Sequence, residues 1–176
     1  PRDAMDITRL VEFVGREKVK NPELSLTVRA AGTCMSGGSL NESIILDVTK
    51  FMHGVTAMSD ESATVLPGTF YRDFEKATLA QGRAMPSYPA SKELCAIGGM
   101  IGNNAGGEKT LAYGKTEDYI DSLKIILSDG REYPVKPLDR AGLDVKMAQT
   151  DFEGDLYRKL FKLITEHEGE IKAAKP

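Results

Sequence analysis

Ser25-Leu26-Thr27-Val28-Arg29-Ala30-Ala31-Gly32-Thr33-Cys34-Met35-Ser36-Gly37-Gly38-Ser39-Leu40-Asn41-Glu42-Ser43-Ile44-Ile45-Leu46-Asp47-Val48 is the stretch on which the reading of the fold turns. Its two ends alternate or run apolar in the manner of β-strands. Its middle is rich in glycine and serine. A glycine loop therefore joins strand to strand. That setting excludes the dinucleotide fingerprint G-x-G-x-x-G, which needs a helix after the loop. It also excludes the P-loop. The nearest match to that motif, Gly102 to Thr110, has Glu108 between Gly107 and Lys109, and no clear strand leads into it.

Loops of this composition can hold an anion. Successive backbone N–H groups turned inward form a nest for phosphate oxygens, and glycine permits the backbone angles a nest requires. Gly32, Gly37 and Gly38 are placed for this, Thr33 and Ser36 add hydroxyls, and Arg29 either neutralises charge or pairs with a carboxylate. A flexible inter-strand connection is the other reading of the same residues.

Outward from this stretch, residues 3 to 19 carry a helical stripe of Met5, Leu10, Val11 and Val14 behind an N-capping Asp3, closed by Asn21-Pro22. Val55 to Met58 and Ala63 to Leu66 read as short strands. Thr69 to Gln81 reads as a helix with Phe70, Phe74, Ala77 and Leu79 as its apolar positions and Gly82 as its stop. Residues 84 to 116 show no clean period and hold many glycines and prolines, so a long loop ordered by function or ligand is expected there. Tyr119 to Leu127 and Tyr133 to Val135 form a hairpin around Ser128-Asp129-Gly130-Arg131. Residues 137 to 149 look like a polar excursion. Thr150 and Glu153 fit a capping box for a last helix that buries Leu156, Leu160, Phe161, Leu163 and Ile164.

The chain has 176 residues, 41% hydrophobic and 28% charged, with a formal charge of −3. That suits a soluble globular protein and gives no basic stripe for nucleic acid. No run of about 18 apolar residues occurs, so no membrane span is expected. Two cysteines, Cys34 and Cys95, point to a reducing compartment, and no spacing suggests a metal. His53 reads as a surface residue, since no Asp or Ser constellation accompanies it.

A second glycine segment, Ala96-Ile97-Gly98-Gly99-Met100-Ile101-Gly102-Asn103-Asn104-Ala105-Gly106-Gly107, follows later, with Tyr113-Gly114 and Asp118-Tyr119 beyond it. In this order the two segments resemble the FAD-binding domain of the vanillyl-alcohol oxidase type (PCMH-type), and more narrowly its D-lactate dehydrogenase and glycolate oxidase branch. The first loop is similar to that family's R-x-G-G-T-G-x-S-G-G pattern, the second to its T-I-G-G-x-x-x-x-N-A-G-G pattern. The resemblance runs from about Ser25 to Ile126. The chain departs from it at Ala31 and Cys34, which stand where the family has glycine, and at Ala96 and Asn103.

The resemblance implies an α+β fold of two small α/β subdomains, residues 1–66 and 67–176, with FAD bound noncovalently. It implies that Arg29, Gly32, Thr33, Cys34, Met35, Ser36, Gly37 and Gly38 contact the pyrophosphate. Ile97, Gly98, Gly99, Asn103, Asn104, Ala105, Gly106 and Gly107 would line the rest of the cofactor, with Pro86, Ser91 and Tyr113 at further matching positions. The implied activity is oxidation of a 2-hydroxy acid such as D-lactate or glycolate. The substrate site and catalytic residues would lie in a cap domain outside this sequence, so no catalytic residue is named. On that basis the chain is expected to be part of a longer cytoplasmic dehydrogenase, or one peripheral to a membrane through an electron-transfer partner. The electron acceptor is left open. By itself the chain is expected to be inactive and to bind FAD weakly or not at all. A flavin-domain relative that has lost redox chemistry and serves as a binding module is the alternative, motivated by Ala31 and Cys34.

Overall fold

The structure is a computed structural model that describes residues 1–174. Its contacts divide the chain into two compact units. The first takes in Pro1–Ile120 together with Ile126–Glu132; the second takes in Asp121–Ile125 and the residues from Tyr133 onward.

In the first unit, α1 (Ala4–Glu17) starts at Asp3, whose side chain accepts the Asp6 N–H as an N-cap. β1 (Leu26–Arg29) and β2 (Ile44–Asp47) pair in parallel, with Leu26 opposite Ile44 and Arg29 opposite Asp47. Parallel neighbours cannot be joined by a tight turn, so the glycine loop is a crossover that returns along the strands. β3 (Val55–Met58) and β4 (Ala63–Val65) form an antiparallel hairpin with an irregularity between Val55 and Ala57.

Next come α2 (Tyr71–Leu79), α3 (Ile97–Gly102), α4 (Thr110–Tyr113) and a 3-10 turn, Thr116–Tyr119. The core lies where α2 meets α3: Tyr71, Phe74, Cys95, Ile97 and Met100 are buried together, with Val55, Val65, Met85 and Tyr88 packed on them. The Tyr71 hydroxyl donates to the Met85 carbonyl, and burial pushes its phenol well above the usual range. Two expectations change here. The buried face of α2 is Tyr71, Phe74 and Thr78, whereas Leu79 is exposed, because the helix begins later than its apolar pattern suggests. The stretch 84 to 116 is not a plain loop. It contains α3, in which burial of Ile97 and Met100 overrides the low helix propensity of three glycines in six residues.

β5 (Leu123–Ile126) and β6 (Glu132–Val135) make the hairpin, with Gly130 at φ 80° in its turn. In the second unit α5 (Arg140–Ala148) occupies most of the expected polar excursion, capped by Asp139. α6 (Phe152–Glu166) is capped by Asp151, which accepts the Gly154 N–H, and not by a box of Thr150 and Glu153. Glu153 is buried and paired with Lys146 at 2.5 Å, which removes it from capping. Leu160, Leu163 and Ile164 of α6 are exposed, contrary to the expectation that they are buried. α7 (Glu168–Ala174) completes the second unit.

Candidate functional site

The first loop leaves β1 at Arg29. Gly32 has φ 70°, and its missing Cβ is replaced by the Arg29 guanidinium, whose nearest atom lies 2.6 Å from where that carbon would be. Glycine is favoured at this position by the backbone angle, while the flexible guanidinium could move aside for a side chain. Arg29 also acts on Asp47 across the parallel pair. Burial disfavours ionisation of Asp47, but bonds from the Thr49 hydroxyl and N–H, and the Arg29 charge, outweigh it and hold the carboxyl below its ordinary value. Arg29 thus acts on Asp47 through its charge, while its guanidinium lies over Gly32.

Gly37, at φ 77°, makes the second bend; its N–H donates to the Cys34 carbonyl at 3.3 Å, and its carbonyl accepts the Leu40 N–H at 2.9 Å. Asn41 ties down the return of the loop. Its amide donates to the Thr27 hydroxyl, while its carbonyl oxygen accepts from Ser25 and from the Ser43 N–H. Thr33, Met35 and Ser36 are exposed along the outside of the loop.

Cys34 is the centre of the loop. Its Sγ lies 3.0 Å from the Ser36 hydroxyl. The Ser36 hydroxyl, the backbone N–H groups of Gly38 and Ser36, and the Asn103 side chain together stabilise its thiolate and bring the thiol down to about 7. It is free and partly exposed, so it is not the buried packing cysteine that cysteine habits suggest. Cys95 fits that description: burial pushes its thiol up.

The second segment is built on α3. Its first N–H groups are already used: Ile97 donates to the Thr69 carbonyl and Gly98 to the Pro67 carbonyl. A Cβ on Gly98 would lie 2.8 Å from Pro67, so this glycine allows the helix to seat on the Pro67-Gly68 turn. α3 ends in a Schellman arrangement, with Ala105 N–H donating to Met100 and Asn104 N–H to Ile101, and Asn104 in the left-handed region at φ 45°. The Asn104 side chain accepts the Glu117 N–H. Thr116, almost fully buried, donates to the Ala105 carbonyl. A Cβ on Gly107 would lie 2.2 Å from the Tyr88 carbonyl oxygen.

The structure brings the two glycine segments together where Gly99 faces Ala30, with 3.4 Å from its would-be Cβ to the Ala30 methyl carbon. The start of the first loop therefore lies against α3 within the first unit. The described contacts of Ser91, Gly106, Gly107 and Tyr113 run elsewhere. Ser91 accepts from Leu94 and Cys95; the Gly107 N–H donates to the Thr110 hydroxyl; the Tyr113 carbonyl accepts the Tyr119 hydroxyl. Sequence reasoning passed over the buried hydroxyls that shape this segment, Thr116, Ser87 (which donates to the Gly114 carbonyl) and Thr69. Isolated hydroxyls carry no periodic signal, so nothing in the pattern marks them.

The family model described as "FAD binding domain" matches residues 1–135, so the chain belongs to that family. It is similar to a D-2-hydroxyglutarate dehydrogenase from Pseudomonas putida, 28% identical over 90% of this chain and 16% of the relative. A glycolate oxidase subunit from Bacillus subtilis is 30% identical over 89% of this chain and 33% of that protein. Among solved structures, chitooligosaccharide oxidase matches with a TM-score of 0.67 at 14% identity, covering 84% of this chain and 30% of that one. The 6-hydroxy-D-nicotine oxidase of Arthrobacter nicotinovorans matches at 0.66 and 22% identity, covering 81% and 30%. These structures bear out the PCMH-type α+β fold. The chain spans 16% to 33% of the length of the two curated relatives named here.

Proposed function

We propose that this chain is the FAD-binding part of a flavin-dependent enzyme that oxidises a 2-hydroxy acid of the D-lactate, glycolate or D-2-hydroxyglutarate kind. The observation that carries the reading is the meeting of the two glycine segments, Ala30 on Gly99. In this reading the loop from Gly32 to Gly38 receives the pyrophosphate. The loop suits the group: its backbone bends at Gly32 and Gly37 as an anion nest requires, and the exposed Ser36 adds a hydroxyl donor. Arg29 supports the loop from behind. Gly99 and Asn103 line the continuation of the cofactor, with Ile97, Gly98, Asn104, Ala105, Gly106 and Gly107 shaping that wall and Pro86, Ser91 and Tyr113 at its margin. Residues 1–66 and 67–176 then supply the two subdomains of the family.

Bound flavin supplies the hydride acceptor; the protein supplies orientation and electrostatics. Attachment is noncovalent in this reading, since His53 and His167 lie outside both segments and Cys95 is buried in the core. The enzyme would work in the cytoplasm. No described helix is long and apolar enough to cross a membrane.

Titration of the protein that carries this chain with FAD, followed by quenching of flavin fluorescence, tests the site. Saturable binding is expected, and none at millimolar FAD refutes the reading. The spectrum of the protein that carries this chain separates the activity from the alternative of a non-catalytic module, which Ala31 and Cys34 favour. A yellow protein bleached by D-lactate, glycolate or D-2-hydroxyglutarate supports the enzyme. A colourless one that also fails reconstitution supports the module.

A further inference from the structure

The first glycine loop leaves β1 at Arg29 and returns to β2 at Ile44, and a half-buried side chain, Asn41, ties the return to the departure. Its amide nitrogen donates to the Thr27 hydroxyl at 3.0 Å and to the Ile44 carbonyl at 3.4 Å. Its oxygen accepts the Ser25 hydroxyl at 3.1 Å and the Ser43 N–H at 2.9 Å. An asparagine side chain has two N–H donors and an oxygen with two lone pairs, so its whole bonding capacity is committed here. Ser25 and Thr27 belong to the chain entering the loop, Ser43 and Ile44 to the chain leaving it. The Ser43 hydroxyl adds a further link by accepting the Ser25 N–H. From this anchor, order passes into the loop. The Leu40 N–H, one residue before Asn41, donates to the Gly37 carbonyl, and the Gly37 N–H donates to the Cys34 carbonyl.

A glycine-rich loop without such ties samples many conformations. A ligand that binds one of them is weakened in proportion to how rarely it is populated. We propose that Asn41 is a positioning residue for the cofactor: it anchors the return of the loop to β1, holds the Gly32 to Gly38 backbone in its bend before FAD arrives, and so sets the affinity for FAD without touching it. The proposal rests on the loop being the pyrophosphate site.

Three consequences separate positioning from general stability. Asn41→Ala releases the anchor and weakens FAD binding about tenfold, as follows when the receptive bend is populated a tenth as often. Thr27→Val, on β1 and outside the loop, removes the acceptor of the 3.0 Å bond and weakens FAD binding about fivefold. The two effects do not add: in the Thr27→Val background Asn41→Ala costs less, because the bond between them is already gone. Thirdly, the amides of residues 32–40 exchange with deuterium at least about tenfold faster in Asn41→Ala, and saturating FAD slows them again, while the core helix α2 exchanges at its original rate.

The experiment titrates FAD into the protein that carries this chain, prepared free of flavin, and into its Asn41→Ala, Thr27→Val and double variants, with deuterium exchange followed by mass spectrometry. Weakening by both single variants, non-additivity in the double variant and faster exchange confined to the loop support the proposal. If the unmutated protein binds FAD and the variants bind within twofold of it, the proposal falls and the FAD reading stands. It falls in the same way if the two effects simply add, or if α2 exchanges faster in step with the loop, since Asn41 then serves overall stability. If the unmutated protein does not bind FAD, both fall. Thr27→Val keeps Asn41 and its bonds to Ser25, Ser43 and Ile44, so its affinity and exchange carry the test where Asn41→Ala fails to fold.

Discussion

Gly102 and Gly107 belong to one glycine segment, yet the structure gives them opposite roles. A Cβ on Gly107 would lie 2.2 Å from the Tyr88 carbonyl oxygen, a backbone atom that cannot swing aside. Its N–H is also held by the Thr110 hydroxyl at 2.7 Å. Gly102 is helical with nothing within 4 Å of its would-be Cβ. Gly107→Ala should therefore cost about 2–4 kcal/mol, as severe overpacking does. Gly102→Ala should be neutral or stabilise by up to about 1 kcal/mol, because alanine loses less entropy in a helix. Thermal unfolding of the two variants checks this, and equal shifts would refute the distinction. The contrast also marks the limit of motif reading. A pattern of glycines says that side chains are unwelcome without saying whether protein backbone or ligand excludes them. Gly98 and Gly107 are excluded by Pro67 and Tyr88, partners remote from them in sequence. Gly32 was legible as a bend, but not as the seat of the Arg29 guanidinium.

Elements with a strong local signal were readable from the amino acids alone. The Asp3 cap, the strands on either side of the first loop and the Asp129-Gly130 turn each depend on neighbours in sequence. α3 and α5 were not readable. α3 is sustained by burial of Ile97 and Met100 against α2, a contribution that its glycine-rich sequence hides. The start of α6 was misread for a related reason. Thr150 and Glu153 match a capping box by spacing, but Glu153 is drawn into a buried pair with Lys146 and Asp151 takes over the cap. The two acids are thus separable by mutation. Asp151→Ala should cost about 1 kcal/mol, the usual value of an N-cap. Thr150→Ala should leave stability unchanged, because no cap bond involves it. Denaturant unfolding of both variants distinguishes the assignments; a larger loss from Thr150→Ala would restore the capping box. The apolar residues on α6 follow helical spacing, yet Leu160, Leu163 and Ile164 are exposed: periodicity reports that a face is apolar, not that this chain covers it.

At the scale of the whole molecule the question is how a chain of net charge −3 holds an anionic cofactor. A pyrophosphate carries about two negative charges, and the long-range field of an acidic protein opposes it slightly. Among the described residues the cation seen against the loop is Arg29, which lies folded over Gly32 and acts on Asp47 through its charge. What remains are neutral donors, the backbone N–H groups of Ser36 and Gly38 and the Ser36 hydroxyl. Such donors act over hydrogen-bond distance and are little screened, whereas the weak repulsion from the net charge is screened strongly as the Debye length falls from about 30 Å near 0.01 M salt to about 8 Å near 0.15 M. The sign follows: raising the ionic strength over this range should leave the FAD dissociation constant within about twofold of its starting value or tighten it. A site built on free lysines or arginines would weaken instead, because salt screens the attraction that such a site uses. FAD titrations at the two salt concentrations decide the matter. Weakening of tenfold or more would mean that a cationic group holds the phosphates, and the assignment of the loop amides as their principal donors would have to be given up.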